Sequence, residues 1–258
     1  MGAVMIRSKS LAVSFVLGLL FAVGCSKESK QKVAQSKIAA VENAKSASTP
    51  LSGSGTIVGK VVFKGAPSVG KLAVSKDKEV CGDAKQDPSV QVGSAGGLKN
   101  AVVQIAGLSR GKTPSKEALL DQSQCEYVPH VVVVPTGATV TIKNSDGILH
   151  NVHTQSQVNA PFNRAQPKFL QEIKEQFDKP EFIAVRCDVH GWMGGWIVVT
   201  DNAYFDVTRA DGAFTLADVP AGKYSLEVWH ETLGSAAQQV ELKSGETVNV
   251  TFEFQMKK

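Results

Sequence analysis

Short β-branched runs, each closed by turn-forming residues, constrain this chain more than any other feature. "TIVGKVVF" (Thr56–Phe63) and "NAVVQIAG" (Asn100–Gly107) come first; "HVVVVPTGATVTIKNSD", "EFIAVRC", "GWIVV", "GAFTLADV", "KYSLEVW" and "TVNVTFEF" follow. Gly, Pro, Asn and Asp punctuate them at short intervals, the pattern of antiparallel sandwiches and Greek-key barrels. Helical periodicity is nearly absent here, and the best helix candidate is the short "SKEALLDQ" (Ser115–Gln122). An all-β fold is expected.

The chain opens differently. Arg7 and Lys9 precede an apolar run from Leu11 to Val23, then Gly24 and Cys25. A charged start, an apolar middle and a small-residue end make a secretory signal, and the run is short for a membrane span. "AVGC" resembles the lipobox of bacterial lipoproteins, with Ala22 where Leu is commonest. The resemblance implies a signal over residues 1–24, acylation of Cys25, and an exported protein held to a membrane at the periplasmic face or cell surface. Residues 25–54 are rich in Ser, Lys, Ala, Glu and Gln and carry no aromatic residue. "ESKQKVAQSKIAAVENAKSA" could be partly helical, but a segment with so little to bury reads as a flexible tether.

The formal net charge of +4 comes from scattered lysines, so no nucleic-acid groove is expected. There is no phosphate loop. "CDVH" lacks the second cysteine of a haem-attachment motif.

Chemistry concentrates between Cys125 and Val199. "KNSDGILHNVHT" carries His150, Asn151 and His153 at a strand end, and "VRCDVHGWMGGWIVV" spaces Cys187, His190 and Met193 three apart between two strand-like runs. Two imidazoles and a thiolate, with a weak thioether, are the donor set of a blue-copper centre. "NSDGILHNV" and "CDVHGWM" resemble the cupredoxins, the plastocyanin and amicyanin group, over about residues 125–200. The resemblance implies one type 1 copper ion held by His150, Cys187, His190 and Met193. His153 is the alternative first ligand; His150 is preferred because the family places Asn directly after that ligand. It also implies that Asn151 bonds across to the cysteine loop, and that His190 forms the exposed edge for electron exchange. Asp188-Val189 stands where a proline often precedes the second histidine, a departure from the family pattern. Of the four cysteines, Cys81 and Cys125 then remain as the candidate disulfide, or as two buried thiols.

"ADGAFTLADVPAGKYSLEVWHETLG" resembles the second half of a carboxypeptidase-regulatory-like (transthyretin-like) sandwich, whose first half is similar to "TIVGKVVFKGAP" and "LKNAVVQI". The expected organisation is that sandwich built from residues 55–108 plus 204–254, with a cupredoxin-like Greek-key sandwich over 115–202 inserted in it; two sequential domains are the alternative. The function expected from the resemblance is that of an electron carrier rather than an enzyme, with redox proteins such as c-type cytochromes as partners. Copper storage or delivery, or a structural lipoprotein with a vestigial site, are the alternatives.

Overall fold

The computed structural model describes residues 53–67, 70–109, 111 and 115–256. The signal, Cys25 and all but the last two residues of the tether (residues 53 and 54) lie outside them. β1 (Ser54–Phe63) leads into an excursion of β2 (Lys71–Ala73), the one-turn helix α1 (Lys78–Cys81) and β3 (Ala84–Gln86), then β4 (Val102–Ile105). Nine strands follow: β5 (Glu117–Ser123), β6 (Glu126–Val128), β7 (Val131–Pro135), β8 (Thr139–Asn144), β9 (His150–Thr154), β10 (Asn163–Gln166), β11 (Glu172–Gln176), β12 (Glu181–Arg186) and β13 (Gly194–Thr200). β14 (Phe205–Val207), β15 (Ala213–Pro220), β16 (Gly222–His230), β17 (Gly234–Leu242) and β18 (Thr247–Phe254) complete the described chain.

The strands build two sandwiches. In the outer one, β1 lies between β15, with Val58 opposite Thr215, and the parallel β18, with Val58 opposite Asn249. Its second sheet runs β14-β4-β16-β17. Ile57, Val61, Ile105, Phe214, Leu226 and Phe252 fill the core between the sheets, and each such buried side chain contributes about 1.5–3 kcal/mol. The inner sandwich pairs β10-β9-β12-β13-β7 with β11-β8-β5-β6 over a core that includes Leu120, Ile142, Ile183 and Ile197. Strand alternation produces this directly: along β8, Val140, Ile142 and Asn144 face inward while Thr139, Thr141 and Lys143 face out.

The helix candidate Ser115–Gln122 falls mostly in strand β5 (Glu117–Ser123) instead. β5 pairs in parallel with β8 from Glu117 opposite Thr139 to Gln122 opposite Asn144, and buries Leu120 and Gln122. Helix preference separates ordinary residues by at most about 0.7 kcal/mol each. A ladder of backbone hydrogen bonds and one fully buried leucine outweigh that.

The sandwiches meet at a seam of Val102, Val131 and Val198, packed by Trp196 and Trp229. The two indoles stand edge to face, centroids 5.0 Å apart. Trp196 Nε1 donates to Glu231 at 2.6 Å, and His130 bonds both Glu231 and the Gly194 carbonyl. His130 is therefore accounted for by the seam.

Gly59 sits mid-strand in β1, where a Cβ would come within 2.0 Å of the Val250 carbonyl and 2.6 Å of the Phe214 ring. Gly59→Val should therefore strain both neighbours of β1. Urea unfolding is expected to show a loss of about 2–3 kcal/mol; an unchanged midpoint would contradict this pairing.

Candidate metal centre

His150 owes its place to the turn before it. The Asn144 amide donates to the carbonyls of Ile148 (2.8 Å) and Gln166 (2.9 Å), and its Oδ1 accepts from Asp146 N–H at 3.2 Å. Gly147, at φ 67°, supplies the left-handed residue the turn needs. His150 then opens β9 with its ring in the core, fully buried. The other donors lie on the β12–β13 connection. Cys187 N–H donates to the Met193 carbonyl at 3.2 Å and Met193 N–H to the His190 carbonyl at 2.9 Å. These bonds curl the loop, so residues three apart turn inward together. Cys187, His190 and Met193 are all buried.

Three donor atoms face one another. His150 Nδ1 and His190 Nδ1 are 2.9 Å apart, and Cys187 Sγ lies 4.0 Å from the first and 3.8 Å from the second. A circle through the corners of a triangle with these edges has a radius of about 2.1 Å. A single cation can therefore reach all three atoms at the roughly 2.0–2.3 Å of metal–nitrogen and metal–thiolate bonds. The donor set, two neutral nitrogens and one soft sulfur in a trigonal arrangement, is the one copper uses in electron-transfer sites.

Each histidine is held from behind by a carboxylate. His150 Nε2 donates to Asp146 at 2.8 Å, and His190 Nε2 donates to Asp77 at 2.8 Å. With Nε2 carrying the proton, the Nδ1 lone pairs are directed at the shared point. Asp146 is itself fixed by the backbone N–H groups of Gln124 (2.5 Å) and Cys125 (2.8 Å). Burial disfavours a charged His150, but Asp146 and the Cys187 sulfur outweigh it and raise the ring's pKa to about 9. Burial lowers His190, aided by the charge on His150 and opposed by Asp77. Burial also opposes the Cys187 thiolate, yet hydrogen bonds, led by that from His150, bring the thiol below its ordinary value. His150 thus holds a proton beside the Cys187 sulfur, a proton that a cation can replace.

Asn151 clamps the loop. Its Oδ1 accepts from Asp188 N–H (2.7 Å) and Val189 N–H (3.2 Å) and lies 3.3 Å from Cys187 Sγ. Tyr127 donates its hydroxyl to the Asn151 carbonyl at 2.6 Å, fixing that residue in turn.

His153, the alternative ligand, faces outward and pairs with Asp188 at 3.1 Å. His230 is buried in the outer sandwich, away from the donor cluster, and its Nδ1 accepts from Thr232 N–H. Cys81 and Cys125 are joined in a disulfide, and Cys187 is the free cysteine among the described residues. Trp192 packs its ring 5.0 Å from that of His190 and donates to the Cys125 carbonyl. One expectation is overturned: His190 is not an exposed edge but 0 % exposed, because Asp77 and Trp192 cover it. Asp77 and Asp146 were missed from the sequence. Asp146 lies four residues before His150 in a turn that explained it already, and Asp77 lies 113 positions from its partner with no local signal.

No family model matches the chain, and no curated protein sequence matches it. Among solved structures it is similar to a Cu(I) form of an amicyanin variant, at 23 % identity and a TM-score of 0.30, over 38 % of this chain and 98 % of that one. A purple cupredoxin from Nitrosopumilus maritimus aligns at 21 % identity and a TM-score of 0.28, over 32 % of this chain and 99 % of that one. A copper-containing nitrite reductase from Thermus scotoductus SA-01 aligns at 20 % identity and a TM-score of 0.31, over 38 % of this chain; the chain spans only 25 % of that enzyme's length. The metal assignment rests on the donor geometry, not on these likenesses.

Asn151→Ala removes the acceptor for two loop N–H groups beside the sulfur. Metal affinity, measured by competition with a chelator, should fall about 10–100-fold with the far-ultraviolet dichroism unchanged. Unaltered affinity would show that the loop keeps its shape without Asn151.

Proposed function

We propose that this protein is a copper electron carrier of the cupredoxin type, exported and held to a membrane by an acylated Cys25. The observation that carries the reading is the buried triangle of His150 Nδ1, Cys187 Sγ and His190 Nδ1. Copper bound there would supply one-electron exchange between Cu(II) and Cu(I).

The chain's residues prepare that exchange. Cys187 offers a soft donor that suits the reduced ion, and the two imidazoles suit either state. Asp146 and Asp77 hold the rings in one tautomer. Asn151 and the sheet ends β9, β12 and β13 keep the donors apart by fixed amounts, so little atomic movement accompanies a change of charge. Met193, buried at the end of the loop, is the proposed weak fourth donor that would complete the set. Redox proteins such as c-type cytochromes are the proposed partners, meeting it through small transient interfaces.

The test is visible absorption of the purified protein after one equivalent of Cu(II). An intense blue thiolate-to-copper band that ascorbate bleaches reversibly is expected, and Cys187→Ser should abolish it. A colourless parent protein would overturn the electron-carrier reading in favour of Cu(I) storage or a structural role.

A further inference from the structure

The excursion between β1 and β4 belongs by sequence to the outer sandwich, yet it is built into the inner one. Val74 and Cys81 are buried in the inner core beside Cys187 and Met193. Asp77 stands immediately before α1 in a left-handed conformation (φ 52°, ψ 37°), uncommon for a residue with a side chain. That conformation accompanies a specific contact, since the Asp77 carboxylate accepts the Nε2 proton of His190 at 2.8 Å. His190 itself is fully buried, whereas the Asp77 side chain is 44 % exposed. Solvent therefore meets a carboxylate where the imidazole edge would otherwise lie.

This contact is tied to the other histidine through one residue. Cys81 N–H donates to the Asp77 carbonyl at 2.9 Å, and the disulfide carries the connection to Cys125. Cys125 N–H donates to Asp146, the carboxylate behind His150, and the Cys125 carbonyl accepts from Trp192 Nε1. The partners of both imidazoles, and the indole beside His190, are thus connected through the one disulfide among the described residues.

We propose that Asp77 is a positioning residue for His190, supplied by the outer sandwich, and that the segment Lys71–Gln86, pinned by Cys81–Cys125, closes the metal centre at its histidine edge. The outer sandwich then has a direct part in the chemistry: it completes a centre whose ligands all lie in the inner one. This inference rests on the metal-centre reading for its consequence, but its core, closure of the donor cluster, is a property of the metal-free chain.

The experiment is alkylation of Cys187 by iodoacetamide in the full-length, metal-free protein, followed by mass spectrometry of the Cys187 peptide. Parent, Asp77→Ala, Asp77→Asn and Cys81→Ser/Cys125→Ser are compared. Loss of the charge-assisted bond should speed labelling of Asp77→Ala at least about tenfold. Asp77→Asn, which keeps an acceptor oxygen in place, should fall between parent and Ala, and the disulfide-free pair should also label faster. In the copper-loaded forms, Asp77→Ala and Asp77→Asn should both raise the reduction potential, because each removes a negative charge from behind His190. A labelling rate of Asp77→Ala within twofold of the parent overturns the proposal, whatever copper does. Faster labelling with no blue band in any form leaves the closure standing and defeats the copper reading instead.

Discussion

Two imidazole nitrogens 2.9 Å apart, buried beside a sulfur, need a proton or a cation between them. Lone pairs pointing at one another repel, and both rings are fully buried. In the metal-free protein burial disfavours a charged His150, but Asp146 and the Cys187 sulfur outweigh it and keep a proton on that ring. A cation at the shared point would satisfy all three donors. Everything nearby is organised to make that convergence unavoidable: a carboxylate behind each ring, an amide across the loop, and strand ends that cannot drift.

The supporting groups come from distant parts of the chain. Asp146 is presented by the β8–β9 turn, Asn151 by β9 itself, and Asp77 by an excursion of the other sandwich. Cys125 touches the support of both histidines, through its N–H, its carbonyl and its disulfide. A centre assembled this way resists distortion because moving one ligand requires moving elements that are separately packed. The same assembly covers the histidine edge, so solvent meets the Asp77 carboxylate and not the imidazole.

What the sequence disclosed follows a simple physical division. The all-β class was legible because β-branched runs with turn residues between them have few other solutions. The Cys187–His190–Met193 spacing was legible because the residues share one loop, and His150 could be preferred to His153 because Asn151 directly follows it, as the resemblance implies. Ser115–Gln122 was misread because alanine and leucine favour helix locally, whereas pairing with β8 is a long-range property. The covering of His190 was invisible for the same reason: Asp77 lies 113 residues away in a segment whose lysines and acids look like any solvated loop.

X-ray absorption at the copper edge tests the central claim most directly, because it counts the donors around the ion. The purified chain, loaded with one equivalent of copper, should show two nitrogen scatterers and one sulfur scatterer at about 2.0–2.3 Å. A first shell of oxygen and nitrogen alone, with no sulfur, would place the metal elsewhere and contradict the account.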